Sequence, residues 1–220
     1  MIMKLNYTDK RQDPDAWAVE LGISREAVEI YCASDVLDLH IETYIWQRVF
    51  GYDMHKRHGR GPFGARAFGQ IDMPRAREAS ITGGIWSIST NPLRTAAGRA
   101  RAFVKNQARL KQILASADED YEVCRNLGEY RAARRAGKHG AFMGVQGGNA
   151  LDRDLDALDL IEDDLILRIT LVHLYNSRLG TTSAPSLKGG AGLTQFGKDY
   201  VKQLNDKKIL VDLAHISRDG

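Results

Sequence analysis

A chain of 220 residues, 43% hydrophobic and 27% charged, has an ordinary globular composition and suits one domain or one and a half. A formal charge of +3 is too small to argue for nucleic acid, and no run approaches the roughly 18 apolar residues that a membrane span needs. Cys32 and Cys124 make no disulfide framework, and "MIMKLNYTDKRQDPD" lacks the apolar centre and cleavage site of a signal peptide, so a cytoplasmic protein is expected.

The first 35 residues read as a helical extension. Asp13 can cap a helix that opens on Pro14 and stops at Gly22, and Ser24 can cap a second. "AVELGISREAVEIY" echoes a helix-turn-helix. Its second helix, however, carries Glu26 and Glu29 against Arg25 alone and would lack the electrostatic pull that nucleic acid binding needs. From residue 36 a rhythm begins. "VLDLHIE" (36–42), "ITGGIWSIST" (81–90), "HGAFMGVQGG" (139–148), "LILRITLVH" (165–173) and "ILVDLAH" (209–215) are nearly continuous apolar runs, as strands buried on both faces must be. Helical periodicity lies between them over 99–115, 151–160 and 194–207. Strands alternating with helices predict an α/β chain with a parallel sheet, over residues 36–220. The connection 43–80 reads as a long loop. Its part 55–77 carries six Lys or Arg and one Asp, which suits a solvated loop or a site for a carboxylate or phosphate. His55 and His58 read as loop histidines.

Polar residues gather where these runs end. His40 and Glu42 stand two apart, so their side chains point the same way, with Asp38 deeper on the same face. Gln146, His173 and His215 close three later runs. In a (β/α)8 barrel the C-terminal rim of the strands carries the active site, and imidazole and carboxylate are suitable zinc ligands. The joint placement, rather than any one residue, predicts a metal-dependent hydrolase.

These residues resemble the renal or membrane dipeptidases, peptidase family M19, which are zinc-dependent TIM-type (β/α)8 barrels. "GLTQFGKDYVKQLNDKKILVDLAHIS" (192–217) is the most specific stretch. "LRITLVHLYNS" is similar to the family's Leu-Thr-x-x-His-x-x-Asn segment, and "GVQGGNALDRDLDAL" to its Gly-x-Glu-Gly-Gly segment. "DLHIE" resembles Asp-x-His-x-Asp, and "GGIWSI" the second-strand segment. The resemblance implies hydrolysis of dipeptides or related small amides by metal-activated water, with one or two zinc ions. It implies that His40 and Glu42 hold the first metal, that position 146 bridges two metals, that His215 holds the second, and that His173 contacts substrate and oxyanion. It places only about five βα units of the barrel in this chain, so a homo-oligomer covering the exposed sheet edges is expected. Three departures stand out. Glu42 replaces Asp, Gln146 replaces the bridging Glu, and the histidine of a sixth strand is absent. An amide has no charge and one good acceptor, so it should leave the metal pair weakly held. The alternative is a metal-poor relative that binds a small ligand at the same rim; another hydrolytic chemistry, such as lactone opening, would use a similar site.

Overall fold

The computed structural model describes residues 3–59, 69, 71–184 and 192–220. Helices α1 (Pro14–Leu21) and α2 (Arg25–Ala33) lie where their caps predict them. Asp13 accepts from the amide of Ala16, Ser24 from that of Ala27, and Gly22 ends α1 at φ 68°. The strands are β1 (Leu37–Ile41), β2 (Gly83–Ser89), β3 (Tyr121–Val123), β4 (His139–Gln146), β5 (Ile166–Thr170) and β6 (Leu210–Asp212). They form one sheet in the order β1-β2-β4-β5-β6, with β3 also on β4, and the described registers are parallel. This is the α/β pattern of a partial (β/α) barrel.

Two compact units divide the chain: residues 1–86 with 112–141, and 87–111 with 142–220. Strands β2 and β4 each begin in the first and end in the second. In the first unit, Trp17, Ala18 and Val28 pack together, and Tyr31 meets Trp17 edge-on. In the second, the sheet buries Met143, Val145 and Ile169, and helix α7 (Gln195–Asp206) buries Tyr200 and Leu204. Thr194 caps that helix through the amide of Gly197. Helix α5 (Ala96–Ala115) lies within four residues of its expected range at each end.

The other connections differ from the periodicity. Among the described residues of 43–80 there are two helices, α3 (Thr43–Phe50) and α4 (Met73–Glu78), rather than one long loop. "TYIWQRVF" is aromatic and β-branched, a composition that hides a helix which Gly51 ends at φ 68°. Helix α6 (Leu127–Arg135) and the three-residue β3 are too short or too polar to stand out. Where a helix over 151–160 is expected, two 3-10 turns stand instead, Gly148–Leu151 and Leu155–Leu160. Between them Asp154 is extended (φ −156°, ψ 176°), which breaks any continuous helix.

One buried group of the first unit ties stability to pH. His139 is fully buried, donates from Nδ1 to the carbonyl of Ile81 at 2.9 Å and accepts at Nε2 from the Trp86 indole at 3.2 Å. The contact with Trp86 requires the neutral ring, because Nε2 must accept; the donation to Ile81 is open to either form. Burial pushes its pKa down from 6.5 to about 4, against the opposing effect of the hydrogen bond to the Ile81 carbonyl. The unfolded chain therefore binds a proton that the folded chain refuses. The stabilisation is complete above the unfolded value and is lost as pH falls from about 6.5 to about 4, a change of about 3 kcal/mol. Urea midpoints across that range should fall more steeply for the natural protein than for His139→Gln, which keeps a donor and an acceptor but does not titrate. Equal slopes would refute the assignment.

Candidate metal centre

Strand β1 delivers His40, and Glu42 follows it as the residue before α3. A β-bulge interrupts the register with β2 between Asp38 and Ile41, and such bulges re-aim side chains. Asp38 turns its carboxylate back to accept from the amide of His40 at 2.9 Å. Glu42 occupies the N-cap position of α3 but makes no side-chain cap. Its carboxylate instead lies beside the imidazole, with Oε2 3.9 Å from Nε2 of His40. The other oxygen, Oε1, is buried and has no hydrogen-bond partner. A buried carboxylate oxygen without a donor is costly unless a cation or a proton joins it. The sequence pair is thus brought together with spare ligand capacity.

In the second unit, register builds a row. Gln146 pairs with Thr170 across β4 and β5, and Thr170 pairs with Asp212 across β5 and β6. Each is the last residue of its strand. Thr170 Oγ1 lies 2.6 Å from Asp212 Oδ2 and 2.9 Å from the amide oxygen of Gln146. A hydroxyl has one proton to give, and the anionic carboxylate takes it. Thr170 then accepts from Gln146, whose amide must present its nitrogen; the O and N of a glutamine have nearly the same shape. Arg168 donates to Asp212 Oδ2 at 2.5 Å and to Ser87 Oγ at 3.0 Å. Gln146 is 4% exposed. A glutamate in its place would set a second carboxylate against that of Asp212, so the neutral amide suits this row.

The expected strand ends therefore need correction. Strands β5 and β6 stop at Thr170 and Asp212, and His173 and His215 lie three residues further on, outside the strands. The physical reason is that parallel pairing ends with the row, and the chain then bends back. The structure still brings these histidines together, edge-on with centroids 4.7 Å apart. Thr182 fastens their backbones: its hydroxyl donates to the carbonyl of His173 at 2.5 Å and sits 3.2 Å from that of His215. His215 has φ 67°, a backbone state that side chains rarely adopt. Thr170, Asp212 and Thr182 escaped the sequence reading. Asp212 was within sight of it, three residues before His215; Thr182 leaves no pattern.

The glycines after Gln146 are dictated by space and backbone. Gly147 has φ 93°. A Cβ on Gly148 would lie 2.6 Å from the Leu179 side chain and 3.0 Å from the carbonyl of Leu171. Arg99 of α5 clamps the turn. Its guanidinium donates to the carbonyl of Asn149 and to Asp152 Oδ1, both at 2.6 Å.

Among the described residues, no three His, Cys, Asp or Glu side chains form a metal-binding group. The basic stretch behaves as structure where it is described. Arg57 pairs with Glu78 and Arg75 with Asp72, each at 2.7 Å, while Arg77 lies 3.4 Å from Asp120. His55 contacts the carbonyl of Ile113, and His58 stacks on Tyr52. Residues 60–68 and 70 of that stretch lie outside the described residues. A cavity of about 850 Å³, lined by Trp17, Ile23, Tyr31, His58 and Arg75 among others, includes none of the rim residues. No helix among the described residues is long and apolar enough to cross a membrane.

The family model for membrane dipeptidase, peptidase family M19, matches residues 24–220. The chain belongs to that family. This M19 chain is 26% identical over 173 residues to an uncharacterised protein in the PQQ-III 3′ region of Acinetobacter calcoaceticus, covering 69% of this chain and 55% of the relative. It is similar to the crystal structure of dipeptidase AC, a family M19 metallopeptidase, with a TM-score of 0.69 and 23% identity over 84% of this chain and 58% of that one. A metallopeptidase from Rhodobacter sphaeroides, liganded with a phosphinate mimic of the dipeptide L-Ala-D-Ala, has a TM-score of 0.67 and 22% identity over 84% and 60% of the two chains. At such identities the structures establish the fold. The M19 chain spans little more than half the length of these relatives.

Proposed function

We propose that this chain carries part of a metal-dependent dipeptidase-type site, in which His40 and Glu42 hold one divalent cation, most simply zinc. The observation that carries the reading is the His40–Glu42 pair, with a buried carboxylate oxygen lacking a donor. Family membership supports it. A bound cation would supply Lewis acidity to the scissile carbonyl and acidify a water molecule. The protein's own part is then positional. His40 must offer Nε2 unprotonated, and Glu42 supplies the negative charge. His215, held in its strained turn, is the proposed ligand for a second ion. His173, fastened by Thr182, is the proposed donor to the substrate oxygen. Gln146 does not fit the role of an anionic bridge, because it is neutral and already engaged with Thr170. One ion is therefore expected to bind well and a second poorly.

The test begins with metal rather than turnover. After loading with zinc and dialysis, the full chain should retain about one ion, measured by elemental analysis, and His40→Ala should weaken zinc binding at least about tenfold. A panel of dipeptides follows, with L-Ala-D-Ala first because the Rhodobacter relative holds its mimic. No retained zinc, or retention unaffected by His40→Ala, would overturn the assignment.

The engaged amide of Gln146 favours a second reading, a metal-poor relative that binds a small amide-bearing ligand at the same rim. Zinc binding without hydrolysis, together with saturable dipeptide binding, would support that reading.

A further inference from the structure

Ser80 lies just past the C-terminal end of α4, in the first unit, and has no place in the site above. Its backbone is left-handed (φ 52°), a state that residues other than glycine rarely adopt. The residue is 8% exposed, and its hydroxyl is buried without a hydrogen-bond partner. It lines a small cavity that admits about one water-sized particle (about 10 Å³), together with Cys32, Arg11, Arg77, Arg134 and Lys138. No Asp or Glu lines this cavity. Each cation has a carboxylate partner elsewhere: Asp9 for Arg11, Asp120 for Arg77, Asp35 for Arg134 and Glu122 for Lys138. Those partners hold the four side chains in place, Arg77 and Arg134 also donate to the carbonyls of Gly137 and Cys32 on the same wall, and the lining residues carry four cations and no anionic side chain. Thr82, the other hydroxyl on its wall, is already engaged with Val36 and Tyr130.

We propose that this cavity binds a single monatomic anion, a halide such as chloride, which accepts from the Ser80 hydroxyl and is held by the surrounding cations. Size and charge carry the choice. The space is too small for phosphate or a carboxylate. A neutral water would satisfy Ser80, but four cations and no carboxylate among the lining residues favour an anion. Such an ion would join α2, the end of α4 and the end of α6 in the first unit. Its binding would make folding sensitive to the identity of the anion and not only to ionic strength.

The experiment uses the full chain. Melting temperature is measured against increasing sodium chloride, with sodium gluconate, too large to enter, holding ionic strength constant. Chloride and bromide should raise it along a saturable curve. Ser80→Ala removes the buried hydroxyl that has no other partner and should weaken apparent halide affinity about tenfold. Lys138→Gln, at the surface, should weaken it several-fold while leaving the melting temperature in gluconate near the natural value. Crystals grown in bromide should show an anomalous peak within hydrogen-bonding distance of Ser80 Oγ. An ordinary water there with no anomalous signal would overturn the proposal. A chloride response that is absent, or unchanged in both variants, would do the same.

Discussion

Gln146→Glu is expected to raise zinc retention from about one ion to about two per chain, and to lower the stability of the metal-free protein. Both effects come from the row Gln146–Thr170–Asp212. In the natural chain Thr170 gives its one proton to Asp212 and accepts from the amide, so a single anion occupies the row and Arg168 balances it. A glutamate would place two carboxylates on one hydroxyl. Without metal, the repulsion should raise one carboxyl pKa and cost stability near neutral pH. With metal, the same charge would offset that of the cations, which a neutral amide cannot do. The two states of the variant should therefore diverge: a lower melting temperature after chelation than the natural protein, and a larger rise on adding zinc. Elemental analysis and thermal melts check the two halves separately. Unchanged stoichiometry with an unchanged metal-free melt would show that position 146 does not face the metals.

Arg99→Met should destabilise the protein by about 3 kcal/mol or more. The substitution preserves most of the apolar stem and removes the charge. Asp152, 2% exposed at its side chain, then loses its 2.6 Å partner and remains buried. Breaking one side of a buried pair costs several kcal/mol because the remaining charge is uncompensated. The carbonyl of Asn149 loses its donor at the same time. Urea denaturation measures the loss. The double variant Arg99→Met with Asp152→Leu should recover much of it, since no buried charge is left unpaired; equal losses in both would point to simple repacking. The turn from Gly147 to Asp152 follows Gln146 directly, so the zinc affinity of a folded Arg99 variant reports whether the clamp also positions the rim.

Much of this protein is written locally. The caps at Asp13, Ser24 and Gly22 depend on one or two residues reaching their own backbone, and they stand where the sequence places them. The β-runs at 81–90 and 139–148 mark strands that are buried throughout, whereas the run at 36–42 forms β1, which ends the strand order and leaves Leu37, Leu39 and His40 exposed instead of burying both faces. The glycines at 147 and 148 announce a turn because no other residue fits it. His40 and Glu42 come together as the two-residue spacing predicts, although Glu42 reaches the pair from the N-cap of α3 and not from the strand itself. Features that involve partners far along the chain were hidden. Thr170 and Asp212 enter the site only through a register that sets β4, β5 and β6 side by side. Thr182 reaches both rim histidines from a separate segment, and Arg99 finds the glycine turn from another helix. The residue type at 146 could be read from the sequence, and it raised the question of a neutral bridge. Why an amide is comfortable there was decided by tertiary structure, because the answer lies in one shared proton and a neighbouring carboxylate that are 24 and 66 residues away in sequence but one and two strands away in space.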